Sequence, residues 1–122
     1  MKIRIKGNSI RYRLSKSEVK KFCDTGHIEE STSFGSNSLV YALQTKDEIA
    51  GLSAEFANNQ ITMFVPASFT RHWDENEITG MDTNCQLPGA GSLFLLLEKD
   101  FVCLDHTDED QSDHYENPNK TC

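Results

Sequence analysis

The sequence predicts an α+β fold, a mostly antiparallel single domain built from two ββαββ repeats. Three observations predict it. Several short runs alternate apolar and polar residues with period two, as half-buried strands do. Two short segments with helical spacing each follow a pair of such runs. The second half then repeats the order of the first at an offset of 51 positions. At 122 residues, 37% hydrophobic and 25% charged, the chain suits one soluble domain with a modest core.

Ile3, Ile5, Ile10, Tyr12 and Leu14 alternate with Lys2, Arg4, Arg11 and Arg13, apolar on one face and basic on the other. Gly7-Asn8 between the two runs is a hairpin signal, because both residues tolerate positive φ. A two-residue turn pairs Ile5 with Ile10 and Ile3 with Tyr12. It also sets Arg4 opposite Arg11 and Lys2 opposite Arg13. Ser15 followed by Glu18 is a capping-box pattern. Val19, Phe22 and Cys23 continue at helical spacing to a stop at Gly26, so residues 15–24 are expected as a helix. Strands are expected near 28–33 and 38–45, joined by Phe34-Gly35-Ser36-Asn37.

In the second half, Leu52, Ala54 and Phe56 lead up to Asn58-Asn59, and Ile61, Met63 and Val65 lead away. Pro66 stands where a first helical residue belongs, and Phe69 and Trp73 form an i, i+4 pair. After a polar insertion, Leu93–Leu97 and Phe101–Leu104 are expected to close a last hairpin around Lys99-Asp100. Laid over each other, Ile5, Gly7, Asn8, Ile10, Tyr12, Leu14, Ser17 and Phe22 fall on Phe56, Asn58, Asn59, Ile61, Met63, Val65, Ser68 and Trp73. The expectation is an internal duplication, with repeats of about 1–45 and 50–104 and a tail of 105–122.

The net charge of −7 conceals an uneven distribution: eight of twelve Lys and Arg lie in the first 21 residues, and six acids lie between Asp105 and Glu116. No run of ~18 apolar residues exists to span a membrane, and no secretory signal is visible. Four cysteines without CxxC spacing read as reduced thiols, so a cytoplasmic location is expected.

The stretch Lys6-Gly7-Asn8-Ser9, then Arg13-Leu14-Ser15-Lys16, resembles the N-terminal barrel of the AbrB/MazE/SpoVT group. Members read basic–x–Gly-Asn-Ser, then Val-Arg-Ile-Pro-Lys, a short helix and Gly-Asp-x-(Val/Ile). Gly26-His27-Ile28 fills that last slot here, and Val65-Pro66-Ala67 is similar to the Ile-Pro-Lys step. The resemblance covers residues 2–45 well and 52–73 faintly. It implies a swapped-hairpin barrel, which the family assembles from two chains and a duplicated chain supplies alone, as a monomeric pseudo-dimer. The whole chain also resembles a small uncharacterised bacterial family.

In DNA-binding members the basic hairpin meets DNA. The resemblance carries this to Arg4, Lys6, Asn8 and Arg13, and the same face adds Lys2 and Arg11. Ile5 departs from the pattern, and so does the second hairpin, which offers Glu55, Thr62 and Phe64 where the first has Arg4, Arg11 and Arg13. Cations opposite each other on a strand pair are destabilising by a few tenths to ~1 kcal/mol. Phosphates could compensate them; so could the acidic tail folding back, or plain solvation. The tail itself, with Asp105, Asp108, Glu109, Asp110 and Asp113, resembles the acidic segment by which antitoxins of the family bind a basic partner, with Tyr115 its one apolar anchor; a solubilising tail is the alternative.

Three function classes follow. The first is a non-enzymatic binding module for DNA or another polyanion. The second is a protein-interaction module whose tail engages a basic protein, with DNA binding lost. An enzyme ranks third, because no phosphate loop, GxSxG or HExxH occurs. Cys103-x-x-His106 with His114 lacks the paired spacing of structural zinc, and Cys23 lies on the apolar stripe rather than poised as a nucleophile beside His27. No cofactor or metal is expected.

Overall fold

A computed structural model describes residues 1–89, 91–101 and 113–115. Eight strands and two short helices run in the order β1 (Lys2–Lys6), β2 (Ser9–Leu14), α1 (Lys16–Thr25), β3 (His27–Ser33), β4 (Ser38–Lys46), β5 (Ser53–Ala57), β6 (Gln60–Pro66), α2 (Ala67–Thr70), β7 (Gly80–Gln86) and β8 (Ser92–Lys99). They form two four-stranded sheets, ordered β1-β2-β8-β7 and β3-β4-β6-β5. The fold is therefore α+β and mostly β. Among the described residues no strand ladder joins the sheets, so they stand as two sheets where a closed barrel was expected.

Each sheet takes one hairpin from each half of the chain. Within hairpins the pairing is antiparallel; where halves meet, β2 lies parallel to β8 and β4 parallel to β6. The registers correspond: Lys2 faces Arg13 in one hairpin and Ser53 faces Phe64 in the other, both 51 positions on. The links between halves correspond as well. Asn8 O accepts from Phe94 N at 3.0 Å, and Asn59 O accepts from Val40 N at 3.0 Å. Gly26 O accepts from Thr45 N at 2.9 Å, and Thr79 O from Lys99 N at 2.8 Å. Side chains fasten the sheet edges, with the Met1 ammonium on Glu30 at 3.0 Å and Leu52 N on Thr83 Oγ1 at 2.9 Å.

The turns differ in kind but not in effect. Gly7 alone has positive φ (54°) in the first hairpin, whereas Asn58 (52°) and Asn59 (60°) both do in the second. Those are the II′ and I′ patterns, whose twist suits a two-residue hairpin.

The inward residues of both sheets fill one core: Tyr12, Leu14, Leu95 and Leu97 from the first sheet meet Leu43, Met63 and Val65 from the second, all fully buried. Tyr12 ties the layers by donating its hydroxyl to Ile61 O at 3.2 Å. Val19 and Phe22 of α1 close one end. That helix begins as its sequence dictates: the Glu18 carboxylate accepts from Ser15 N at 2.9 Å, and Gly26 ends it in the left-handed region at φ 77°. Burial opposes the charge on Glu18, but the Met1 ammonium and the Ser15 donors outweigh it and hold the carboxyl below its ordinary range. No helix of the described residues is long and apolar enough to cross a membrane.

Two elements depart from expectation. The polar insertion contains β7, which pairs antiparallel with β8. Lys99-Asp100 is consequently no turn between β8 and a partner strand: Lys99 ends β8, which pairs with β7, and is buried. Of the strand expected over Phe101–Leu104, Phe101 bridges Tyr115, and residues 102–104 lie outside the described residues. The second helix is a single turn. Pro66 still belongs to β6, Arg71 is extended, and His72 has φ 65°. Phe69 and Trp73 nevertheless pack with ring centroids 5.1 Å apart.

Candidate functional site

Strand alternation sends Ile3, Ile5, Ile10 and Tyr12 toward the core side of the first hairpin, so Lys2, Arg4, Lys6, Arg11 and Arg13 share its outward face. The register sets Lys2 against Arg13 and Arg4 against Arg11, as the turn chemistry required. Lys2, Arg4 and Lys6 are exposed, while Arg11 and Arg13 are half-buried against the neighbouring strand. Lys2, Ile3, Arg4, Arg11 and Arg13 line a shallow depression of about 190 Å³.

Part of the repulsion is compensated within the fold, by residues the sequence did not point to. Parallel pairing brings Glu98 of β8 beside Arg13. Its carboxylate lies 2.7 Å from Arg13 Nε and 3.7 Å from Arg11 Nε, so one acid serves two guanidiniums. Lys2 Nζ lies 3.1 Å from Asp100 Oδ2. Arg4 and Lys6 have no ion pair among the described residues. The parallel neighbour also adds apolar surface to the same outward face: Phe94 pairs with Ser9 and is exposed, and Leu96 pairs with Arg11. Asn8, expected at the ligand, donates its side-chain amide to Ser92 O at 2.6 Å and so fastens the turn to β8.

The corresponding face of the second hairpin carries no cation. Ser53, Glu55, Thr62 and Phe64 stand at the equivalent positions. On the neighbouring strand β4, Lys46 Nζ sits 5.0 Å over the Phe64 ring.

Of the tail residues singled out above, Asp105, Asp108, Glu109 and Asp110 lie outside the described residues, as do Cys103 and His106. Asp113 and Tyr115 are engaged within the domain. Asp113 caps α1: its carboxylate accepts from Ser17 Oγ at 2.6 Å and Ser17 N at 3.3 Å, and its carbonyl accepts from Lys16 N at 3.0 Å. These contacts fall on the helix start rather than on the basic hairpin face. The Tyr115 ring packs on Phe101 and under the Lys99 ammonium, 4.9 Å from its centroid. Burial pushes the Tyr115 hydroxyl up to about 12.

Lys99 is the least expected charge. It is 3% exposed, donates to Asn76 O at 2.7 Å and lies 5.7 Å over the Trp73 ring. Burial holds its ammonium below the ordinary lysine range. Burial also pushes the nearby Cys23 thiol up, the opposite of activation for a nucleophile. His27, the candidate base four residues on, is occupied by Gln44 at 2.7 Å and Glu29 at 2.8 Å.

A family of unknown function, DUF7009, matches residues 1–119, and the chain belongs to that family. Nothing among the curated proteins or the solved structures matches it.

Proposed function

We propose that this DUF7009 protein is a non-enzymatic binding module that holds nucleic acid or another polyanion on the outward face of its first hairpin. One observation carries the reading. Lys2, Arg4, Lys6, Arg11 and Arg13 share one face, and of these five only Lys2, Arg11 and Arg13 lie within ion-pair reach of the Glu98 and Asp100 carboxylates. Folding gains nothing from setting Arg4 against Arg11. A phosphate backbone does gain from it, by counterion release and forked guanidinium contacts. Exposed Phe94 on the same face offers a surface on which an unstacked base can lie.

The chain is best understood as internally duplicated, in a swapped-hairpin arrangement like that of AbrB and MazE. The shared register at 51 positions and the crosswise pairing of β2 with β8 and β4 with β6 support this. Binding through the tail to a basic protein has less support, because Asp113 and Tyr115 are occupied within the domain.

The test is a titration into labelled duplex and single-stranded DNA at two salt concentrations, beside an Arg4/Arg11/Arg13→Ser variant. The expected result is binding by the wild type that falls on the order of a hundred-fold between ~50 and ~200 mM salt, with the variant silent. Equal binding by both proteins, or none by either, would remove the hairpin from consideration.

A further inference from the structure

We propose that a second copy of this chain covers an apolar cleft at the hairpin-turn end of the molecule. The cleft, about 420 Å³, is lined by Ile5, Ile10, Leu39, Phe56, Ile61 and Leu93, with Glu55 on its rim. At this end the core side chains stop short of closing the space between the sheets. Ile5 is 56% exposed and Phe56 70%. Strand register puts two more exposed apolar residues at the same end, Phe34 in the β3–β4 loop and Leu87 in the β7–β8 loop. An exposed apolar surface gathered at one end marks an interaction site rather than random scatter. The lining has no convergent donors or acceptors to orient a small polar ligand.

Charge on the two lips selects the occupant. The lips are the corresponding segments of the two halves, Ile5 on one and Phe56 on the other. Arg4 and Lys6 flank Ile5, whereas Glu55 flanks Phe56. Neither Lys6 nor Glu55 has an ion pair among the described residues. A twofold interface is isologous, so whatever one lip meets on the partner occurs twice. Setting the basic lip of one copy on the acidic lip of the other forms two Lys6–Glu55 pairs and seats each Phe56 in the partner's cleft. A second copy supplies this complement by construction.

On this proposal the monomeric pseudo-dimer expected from the sequence is itself one half of a dimer. It also bears on the proposed function, since a dimer carries two basic hairpins related by symmetry, as a symmetric duplex site requires. That consequence rests on the polyanion reading; the dimer does not.

The experiment is sedimentation velocity on the full chain across a concentration series, without nucleic acid. The expected result is a reversible dimer. Phe56→Ser should raise its dissociation constant roughly tenfold or more. Glu55→Lys and Lys6→Glu should each weaken it, and the two together should restore it. Phe56 is exposed, so the serine variant keeps its fold, which far-UV circular dichroism verifies; Ile5→Ser is the second apolar variant. A monomer at every concentration would overturn the proposal, as would a dimer indifferent to both Phe56→Ser and Glu55→Lys. A dimer that ignores DNA would refute only the polyanion reading, and a DNA-binding monomer only this one.

Discussion

The β1–β2 and β5–β6 hairpins have the same register, the same partners in the opposite half and corresponding inward residues, yet their outward faces differ completely. Inward, Tyr12 and Leu14 answer to Met63 and Val65, all fully buried. Outward, Arg4, Arg11 and Arg13 answer to Glu55, Thr62 and Phe64. The second hairpin shows that this arrangement folds without cations. The basic face of the first is therefore not a requirement of the fold, and its cost in like-charge repulsion needs another explanation.

The comparison can be broken from the inside. Leu14→Ala and Val65→Ala remove corresponding side chains from one core, and each should destabilise the protein by about 2–4 kcal/mol, with the leucine change the larger. Urea unfolding measures both. A large loss at Leu14 with almost none at Val65 would mean that the two hairpins do not share the structural burden.

It can be sharpened at Glu98, the acid that serves two of the cations. Glu98→Gln leaves Arg11 and Arg13 without their carboxylate. Both pairs are partly solvated, so stability should fall by no more than ~1 kcal/mol. Affinity for duplex DNA should rise about threefold to tenfold, with a steeper salt dependence, because two guanidiniums become available to phosphate. Unchanged affinity would mean that Glu98 does not compete with the ligand.

Much of this was legible in the sequence because it is written in period two. The alternation from Ile3 to Leu14 and the Ser15–Glu18 cap located β1, β2 and α1 within a residue or two. Strand β7 was hidden because its outward positions, Asp82, Asn84 and Gln86, are poor strand formers. Only Met81, Thr83 and Cys85 kept the pattern. In β8 the outward Phe94 and Leu96 turned an alternating strand into the continuous apolar run Leu93–Leu97, which placed the turn one strand too late. The pairing of Glu98 with Arg13 was invisible for a different reason. It depends on β2 lying parallel to a strand 85 positions away, which no local signal encodes. The short α2 failed at Pro66, whose fixed φ suits the end of β6 as well as a helix start.

Arg4→Ser, with stability and duplex affinity measured on the same preparation, tests the central claim most directly. Arg4 faces Arg11 and has no ion pair among the described residues. If the cations serve a ligand, the two quantities move in opposite directions: unfolding free energy rises by a few tenths of a kcal/mol as the repulsion is relieved, and affinity falls. If stability falls while affinity holds, Arg4 serves the fold, and the contrast between the two hairpins has no bearing on binding.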